Sequence, residues 1–374
     1  MEKEKIQILE DYLNEWIKTI NKEEKKKMEI KRFLGKGAYG LVAEISFMKD
    51  NYAAKIFKKE KVDENKLILE FRGPNIISVN QINIKDFTNK KTKQKEKYYL
   101  VLMEKADLKD ILYLVWDIYY NNKLKLIVSS PFEGETSDNF IRYFCHEFIK
   151  ALELLDRKDY CHFDIKPNNI LLTNKFIPKL SDFSYLRDIN KIQDEEGKIE
   201  IPGGTHGYTS PEYYYSKSIP AEHGKKQDFF AIGSTIFKLK YGEDMIPHQR
   251  YESNEITADY MIDLIQRAKD LIQSKKRCDK DFIKFLCGLI DYKPEDRPEF
   301  EEIYRDKWLN KNLDDIKKCY NVNFLNVDKL FIELNKSDFI NSKKKQMKKG
   351  RKRFNFDRKK LVKFEEEEIS TQKF

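Results

Sequence analysis

The stretch of the chain with the clearest chemical meaning spans residues 162–184, HFDIKPNNILLTNKFIPKLSDFS. It places Asp164, Lys166 and Asn169 within six positions, and a second acid, Asp182, follows a mainly apolar excursion. A carboxylate, an ammonium and an amide on one short loop form no amphipathic pattern, so local packing does not account for them. They fit around a nucleophilic hydroxyl, a polyphosphate and a divalent metal, with Asp164 as the base or the orienting group.

Apolar residues between the two acids predict the element that positions them. Residues 170–172 and 177–180 are expected to form a short hairpin, which would fix the loop. The alternative explanation of the stretch is a polar turn between two strands, without a chemical role.

A second group of residues is suited to binding phosphates. Gly35, Gly37 and Gly40 form a G-x-G-x-x-G pattern, where backbone can approach a phosphate closely because no Cβ intervenes. The pattern alone is weak, since dinucleotide-binding folds also use it. Those folds run strand, glycines, helix, whereas residues 31–57 predict three short strands, with a turn at residues 50–51.

In their order along the chain, these stretches resemble the motifs of the eukaryotic protein kinase family. Residues 162–184 are similar to the catalytic loop and metal-binding motif, and Lys55 in AAKIF is similar to the strand lysine after the glycine-rich loop. GTHGYTSPE at 204–212 resembles the end of a kinase activation segment. The resemblance covers about residues 30–309, with eight ordered motif matches.

The resemblance implies an α+β, two-lobed protein-kinase-like fold. A small β-rich N-lobe is expected over about residues 30–103, and a larger helical C-lobe over about residues 107–309. Two further strands are expected in residues 76–103, joined by a charged loop at residues 87–97. Helices of the C-lobe are predicted at residues 138–158, 225–239, 281–290 and 299–309.

The resemblance also implies a nucleotide site. The residues expected to contact ATP are Gly35, Lys36, Gly37, Ala38, Tyr39, Gly40, Val42, Ala53, Lys55, Met103, Glu104, Ala106, Asp110 and Leu171. Lys55 would contact the α- and β-phosphates, and Met103 would guard the back of the pocket. The backbone of hinge residues 104–106 would hold adenine, and Asp110 would meet the ribose or a substrate cation.

A glutamate on the next helix is expected to orient Lys55. Glu64 matches by its position relative to the GPNII segment at residues 73–77. Only eight residues separate it from Lys55, so the start of that helix is short compared with the family. Glu60 and Glu70 compete for the role.

The implied reaction is transfer of the γ-phosphoryl group of ATP to a protein hydroxyl. Asn169 and Asp182 would ligate Mg²⁺ or Mn²⁺. Lys166 would face the γ-phosphate, while Asp164 would orient the hydroxyl and accept its proton. Lys166 two positions after Asp164 resembles Ser/Thr kinases, which implies protein substrates with Ser or Thr acceptors. The alternatives are a pseudokinase scaffold that binds nucleotide and partner proteins without turnover, and a phosphotransferase acting on small molecules.

Three structural contacts follow from the same resemblance. Thr205 is expected beside the polar residues of the catalytic loop. Glu212 is expected to pair with Arg297 in KPEDRPEF, because a buried carboxylate needs a partner and arginine offers two parallel hydrogen bonds. Asp228 is expected to accept hydrogen bonds from the backbone of the catalytic loop.

Two positions depart from the family pattern. Phe163 replaces the arginine that many kinases use to grip a phosphorylated activation loop, and residues 186–204 contain no Ser, Thr or Tyr. Together these absences predict activity that does not depend on phosphorylation in that segment. Ser184 stands where the family usually has glycine. If a left-handed backbone is required there, serine costs roughly 1 kcal/mol and makes the segment less free to rearrange.

Segments outside the resemblance extend the chain at both ends. Residues 1–29 predict an amphipathic helix that either packs on the folded body or docks onto another protein. Residues 310–342 predict an extra helix, and residues 343–374 predict a disordered tail with thirteen Lys or Arg against five Asp or Glu. Its basic part, residues 343–363, either stays solvated or contacts nucleic acid, an acidic protein, an anionic membrane or an import receptor.

Composition predicts a soluble intracellular protein. The chain of 374 residues is 40% hydrophobic and 13% aromatic, enough for a large core. Its five cysteines are widely spaced without a C-x-x-C pair, which favours free thiols, and its five histidines show no metal-ligand spacing. No apolar run reaches the roughly 18–20 residues that span a bilayer. We expect a cytoplasmic location, with the nucleus as an alternative through the basic tail.

Overall fold

The computed structural model describes residues 2–23, 25, 27–37, 40–48, 50–58, 71–73, 75–88, 93–121, 136–216, 218–246, 257–274 and 279–314. These residues form two compact units. The N-terminal unit takes its described residues from 1–63 and 78–105, and the C-terminal unit takes them from 64–77 and 106–325.

The N-terminal unit is built on a five-stranded antiparallel sheet. Its strands are β1 (Met28–Gly37), β2 (Gly40–Phe47), β3 (Asp50–Lys58), β4 (Val79–Thr88) and β5 (Lys95–Glu104). Their order across the sheet is β1-β2-β3-β5-β4. Each pair of neighbours is antiparallel. Consecutive strands pair in β1–β2, β2–β3 and β4–β5, whereas β5 pairs with β3 across the chain and leaves β4 at one edge.

Two turns of this sheet differ from the sequence prediction. The turn predicted at residues 50–51 is wrong, because Asp50 already pairs with Phe47 in the β2–β3 ladder. The charged loop predicted at residues 87–97 is shorter than expected, because Phe87 is already paired in the β4–β5 ladder. In the second case the ladder extends into charged sequence because Phe87 is buried against the N-terminal helix.

That helix, α1 (Glu2–Glu23), covers one face of the sheet. Its apolar stripe is buried, and the members of the stripe are Leu9, Tyr12, Leu13, Trp16, Ile17 and Ile20. The strand residues that share its core are Leu41, Ala43, Ile45, Ala54, Ile56, Phe87, Tyr98, Leu100 and Leu102. Of the two alternatives left open by the sequence, the stripe is used for packing within the chain.

Hydrogen bonds fix α1 to the strands, among them one from Lys85 Nζ on β4 to Thr19 Oγ1 over 3.2 Å. The Asn21 side chain donates to the Met28 carbonyl over 2.9 Å and accepts from the Met28 amide over 2.7 Å. Tyr12 Oη donates to the Thr88 carbonyl over 3.3 Å. The helix is therefore attached both to the start of β1 and to the end of β4.

The opposite face of the sheet carries residues predicted to contact nucleotide. Because side chains alternate along a strand, Ala54, which packs on α1, points away from the face that holds Ala53 and Lys55. The ladders place Val42 opposite Lys55 and Met103 opposite Ala53. Helix α1 and these four residues therefore lie on opposite faces.

The C-terminal unit is mainly helical. Among the described residues its helices are α2 (Ile111–Trp116), α3 (Asp138–Arg157), α4 (Ile189–Ile192), α5 (Glu212–Tyr215), α6 (Gly224–Tyr241), α7 (Ala258–Ser274), α8 (Lys280–Leu289), α9 (Phe300–Tyr304) and α10 (Lys307–Asn310). Its paired strands are β6 (Tyr160–Cys161) with β9 (Arg187–Asp188), β7 (Ile170–Leu172) with β8 (Pro178–Leu180), and β10 (Lys198–Glu200) with β11 (Ser218–Pro220). The predicted hairpin is β7–β8. Helix α6 is central, since 17 of its 18 residues are buried.

Parts of the chain named in the sequence predictions lie outside the described residues. These parts are residues 315–342 of the predicted extra helix and the tail at residues 343–374. Within the described residues, Cys145, Cys161 and Cys287 are free thiols. No helix in the same part of the chain is long and apolar enough to cross a membrane.

Candidate active site

The predicted metal ligands flank one end of the β7–β8 hairpin. Asn169 immediately precedes β7, and Asp182 follows β8 by two positions. The Asn169 carbonyl accepts from both the amide and the hydroxyl of Ser181 over 2.9 Å. Two residues far apart in the motif are therefore brought next to each other by one short ladder.

Asp164 is the centre of a hydrogen-bonded network. Its Oδ1 accepts from Thr205 Oγ1 over 2.7 Å, and its Oδ2 accepts from Asn169 Nδ2 over 2.8 Å. Lys166 Nζ lies 3.1 Å from the same Oδ2 and donates to Thr205 Oγ1 over 2.7 Å. Donors on three residues, Thr205, Asn169 and Lys166, therefore hold the Asp164 carboxylate in place. The predicted position of Thr205 beside the catalytic loop is confirmed.

The backbone that leads into Asp164 is held by a buried carboxylate on α6. Asp228 accepts from the amides of His162 and Phe163 over 2.7 and 2.9 Å, as predicted. Burial raises the pKa of the Asp228 carboxyl to about 7, and the two backbone donors act against that rise. The same bonds constrain Phe163 at φ 61°, a left-handed conformation that bulky residues rarely adopt.

His162 joins the two halves of the motif. Its Nδ1 accepts from the Asp164 amide over 3.3 Å, so Nε2 carries the ring hydrogen and donates to the Ser181 carbonyl over 3.1 Å. Burial lowers the pKa of His162, which favours the neutral ring that this arrangement needs. The ring packs edge-on against Phe183, with 5.3 Å between the centroids.

Asp182 begins a short 3₁₀ turn over residues 183–185. Its own backbone is left-handed, with φ 58° and ψ 73°, a conformation that Asp tolerates better than most residues. Phe183 is buried and stacks on Phe71 with 6.4 Å between ring centroids. Ser184 is not left-handed. The cost of a left-handed serine, which applied only if that conformation is required there, therefore does not arise, because the positive φ belongs to the aspartate two residues earlier.

The donor atoms near the hairpin suit a magnesium ion. Asn169 directs its amide nitrogen at Asp164, so its amide oxygen is the atom left to serve as a ligand. Together with the Asp182 carboxylate, this supplies the hard oxygen donors that Mg²⁺ prefers. The described residues contain no group of three or more His, Cys, Asp or Glu placed to hold a metal. Mg²⁺ commonly needs only one or two carboxylates when substrate phosphates complete its shell.

The glycine segment has one position that only glycine can occupy. Gly40 has φ 151°, and a Cβ there would lie 2.5 Å from the Ile56 carbonyl oxygen. A Cβ at Gly35 would meet nothing within 4 Å, so this backbone borders open space. Lys55 is half-buried on β3, and its Nζ lies 5.5 Å from the centre of the Phe57 ring. The residues of this prediction outside the described ones are Ala38, Tyr39, Glu60, Glu64 and Glu70.

Leu34 is an exposed apolar residue beside the glycines that the sequence reasoning did not single out. It lies on β1 beside Gly35 and is 42% exposed, unusual for a large apolar side chain. Phe33 packs against the core under α1, and Leu34 is the extra residue where the β1–β2 register shifts between Phe33 and Gly35. An apolar residue directly before the glycines was the signal that could have identified it.

Asp110 has a structural role that the sequence did not predict. Its Oδ1 accepts from the Tyr113 amide over 2.7 Å and caps the N-terminus of α2. Its backbone bridges to Leu171, another predicted nucleotide contact. At the predicted hinge, the Glu104 amide donates to the Ser78 carbonyl over 2.8 Å.

A buried ion pair anchors the segment after Thr205. Arg297 donates to both carboxylate oxygens of Glu212 over 2.7 Å, and both side chains are almost fully buried. The other guanidinium hydrogens are accepted by the carbonyls of Asp291, Lys226 and Tyr292. A buried charge is stable only when it is satisfied in this way. The predicted pair is confirmed.

Residues 28–309, about three quarters of the chain, match the family model for the protein kinase domain. The chain belongs to the protein kinase family. With the five-stranded antiparallel sheet followed by the helical region, this match confirms the predicted kinase fold.

Three similar proteins are serine/threonine or cyclin-dependent-like kinases. Serine/threonine-protein kinase MRCK beta of Rattus norvegicus is 25% identical over 279 residues, 71% of this chain and 15% of that protein. CBL-interacting serine/threonine-protein kinase 18 of Arabidopsis thaliana is 24% identical over 297 residues, 78% of this chain and 51% of that protein. Cyclin-dependent kinase-like 5 of Homo sapiens is 25% identical over 221 residues, 59% of this chain and 21% of that protein. The chain thus spans about half or less of each relative.

In this kinase domain, apolar packing holds the segment that follows Asp182. Phe163 is 1% exposed and packs in a cluster formed with Cys161, Ile189, Ile199, Ile201 and Ile219. We call these six residues the segment cluster. The β10–β11 ladder, which contains Ile199 and Ile219 of this cluster, pairs residues 198–200 with residues 218–220. The alternation of Ile199 and Ile201 in KIEIP is the sequence signal that could have predicted it.

Polar groups of the same segment bind to the segment itself. Asp194 Oδ1 accepts from the amides of Glu196 and Lys198 over 2.9 Å, which closes the turn before β10. Arg187 Nη1 donates to the Leu186 carbonyl over 2.9 Å. Local bonds of this kind contribute to the order of the segment.

Proposed function

We propose that this kinase domain is an active Ser/Thr protein kinase, which transfers the γ-phosphoryl group of Mg-ATP to a protein hydroxyl. The observation that carries the proposal is the network in which Thr205, Lys166 and Asn169 all bind the Asp164 carboxylate. A chain that had lost catalysis would not need to keep a buried carboxylate so fully oriented. The names of the similar proteins MRCK beta and CBL-interacting kinase 18 support the same acceptor class.

Asp164 and Lys166 have separate roles in this proposal. A substrate hydroxyl would bind beside Asp164, where it can donate a hydrogen bond to the carboxylate. The carboxylate would orient the hydroxyl and take its proton. Lys166 would neutralise charge on the transferred phosphoryl group. Thr205 holds both side chains in one geometry, so it contributes to positioning and not to the proton transfer.

Asn169 and Asp182 would hold magnesium in the same proposal, and Lys55 would contact the α- and β-phosphates. When bound, the metal neutralises phosphate charge and fixes the angle of attack. Gly35 and Gly40 allow backbone to approach the phosphates closely. Leu34, by its exposure beside Gly35, would contact the apolar faces of the adenine base.

Activity without phosphorylation of the activation segment is the second part of the proposal. Three observations support it: the segment cluster buries Phe163, the β10–β11 ladder fixes residues 198–200, and Asp194 closes the turn between them. Residues 186–204 contain no hydroxyl that could accept a phosphate. Order that other kinases obtain from a phosphate–arginine contact is supplied here by apolar burial.

The test is phosphorylation of a generic basic protein by the purified chain with ATP and Mg²⁺, beside Asp182→Asn and Asp164→Asn. Thermal melts with and without nucleotide accompany each assay. We expect turnover by the unmodified chain, loss of turnover in both variants, and no change after phosphatase treatment. A nucleotide-dependent thermal shift without turnover would support the pseudokinase scaffold. Phosphatase-sensitive activity, with the phosphate mapped between Asp182 and Glu212, would contradict the second part.

A further inference from the structure

Ser184 makes a side-chain contact that glycine, the usual residue of the family here, cannot make. Its Oγ donates to Asp182 Oδ1 over 2.6 Å. The contact joins a neutral hydroxyl to a charged carboxylate, and such bonds are shorter and stronger than those between neutral groups. Nothing else in the proposed site gives the hydroxyl a role.

We propose that Ser184 is a positioning residue for the metal-binding carboxylate of Asp182, which rests on the metal role proposed above for Asp182. A carboxylate offers about four acceptor positions, and the bond to the Ser184 hydroxyl takes up one of them. The bond restricts rotation of the Asp182 side chain before the metal arrives. A hydrogen bond to a metal ligand from a residue that does not touch the metal orients that ligand and raises metal affinity.

The backbone around Ser184 does not depend on its hydroxyl. Residues 183–185 form a 3₁₀ turn in which the Leu186 amide donates to the Phe183 carbonyl over 3.2 Å. Phe183 is buried between His162 and Phe71, and Arg187 donates to the Ser184 carbonyl over 3.4 Å. Replacing Ser184 by alanine therefore removes one hydrogen bond and leaves the turn in place.

The size of the expected effect is modest because Ser184 is exposed. Water competes for the hydroxyl and for the carboxylate, so the net value of the bond is that of an ordinary hydrogen bond. We expect Ser184→Ala to raise the Mg²⁺ concentration for half-maximal effect roughly three- to tenfold. Threonine keeps the hydroxyl, and its extra methyl group can point into solvent.

The experiment is a Mg²⁺ titration of thermal stability in the presence of saturating ADP. It compares the unmodified chain with Ser184→Ala, Ser184→Gly, Ser184→Thr and Asp182→Asn, and it measures ADP binding without Mg²⁺ for each protein. We expect Ala and Gly to shift the Mg²⁺ midpoint equally, Thr to keep it, and Mg²⁺-free binding to stay unchanged in all three. Asp182→Asn should abolish the Mg²⁺-dependent shift.

Two results would overturn the proposal while leaving the kinase assignment intact. The first is a Ser184→Ala midpoint equal to that of the unmodified chain, with the Mg²⁺ response still abolished by Asp182→Asn. The second is a shift in Ser184→Gly alone, which would show that backbone freedom and not the hydroxyl matters. If Asp182→Asn kept the full Mg²⁺ response, the metal role of Asp182 in the proposed function would itself be contradicted.

Discussion

The catalytic loop at residues 162–169 and the activation segment at residues 186–201 are ordered by opposite means. In the loop, Asp164 is held by hydroxyl, amide and ammonium donors, and Asp228 holds the backbone. In the segment, Phe163 and isoleucines bury one another, and polar groups such as Asp194 bind to nearby backbone. Polar order places reactive atoms at defined distances, whereas apolar order needs no ligand and no modification. The catalytic loop is ordered mainly by polar contacts, and the activation segment mainly by apolar ones.

The largest effect is expected from removing charge in the polar region. Asp164→Asn keeps the size of the side chain and its contact with Thr205, but it cannot accept the proton. We expect kcat to fall about a thousandfold, within the range attributed to a general base. Steady-state assays at saturating ATP measure this, with thermal melts to verify folding. A fall of less than tenfold would show that Asp164 only orients the hydroxyl.

The buried ion pair between Arg297 and Glu212 tests how much a polar contact contributes to the stability of the fold. Arg297→Leu leaves the Glu212 carboxylate buried without its partner, so the free energy of unfolding should fall by about 3–5 kcal/mol. Arg297→Lys should recover only part of this, because lysine cannot form two parallel bonds. The matched control is Arg267→Leu, which removes an exposed pair with Asp263 and should cost less than about 1 kcal/mol. Equal losses in denaturant melts would contradict the burial argument.

Truncating the segment cluster tests apolar order directly. Phe163→Ala should lower the free energy of unfolding by about 3 kcal/mol, the lower end for losing a buried phenylalanine. Cleavage within residues 186–201 should also become faster in limited proteolysis, because the segment loses its main contact. Tyr304→Ala, at a site that is 52% exposed, serves as the control and should change neither quantity. Unchanged cleavage in Phe163→Ala would show that the β10–β11 ladder alone orders the segment.

The smallest effect concerns pH and the neutral ring of His162. Burial and the charge of Lys166 lower its pKa, while Asp164 and Asp182 raise it, with a net lowering. An unfolded chain protonates the ring below about pH 6.5, so the stability from this group is complete above that pH. It is lost as the pH falls toward the lower native pKa. Melts from pH 8 to 5 should show a steeper decline than those of His162→Asn, and parallel curves would contradict this.

The polar region was the part of the site that sequence could predict. Phosphoryl transfer requires particular side chains at fixed spacings, so Asp164, Asn169 and Asp182 could be proposed for it from their type and order alone. The partners Thr205 and Asp228 followed from the same motifs, and each forms the expected hydrogen bond. Residues with chemical roles have few substitutes, which is why they can be recognised without a structure.

The apolar region could not be predicted in the same way. From the sequence alone, Phe163 indicated only that an arginine was missing. Its packing against Ile199 and Ile201 could not be predicted, because any apolar residue could make those contacts. Whether Ser184 needs a left-handed backbone could not be predicted, because its φ depends on where the 3₁₀ turn begins and the sequence does not set that boundary. The hydrogen bond from Ser184 to Asp182 could be identified only from the structure of this turn.

Helix α1 has a consequence for how the kinase domain is made and shortened. It is synthesised before the strands it covers, and the contact from Tyr12 to the Thr88 carbonyl spans 76 residues of later sequence. Until β4 and β5 arrive, its apolar stripe has nothing of its own to bind, which makes the nascent chain vulnerable to aggregation. A chain begun at residue 28, where the family match starts, would leave the same sheet face bare. The smallest self-sufficient folding unit therefore begins before the family boundary.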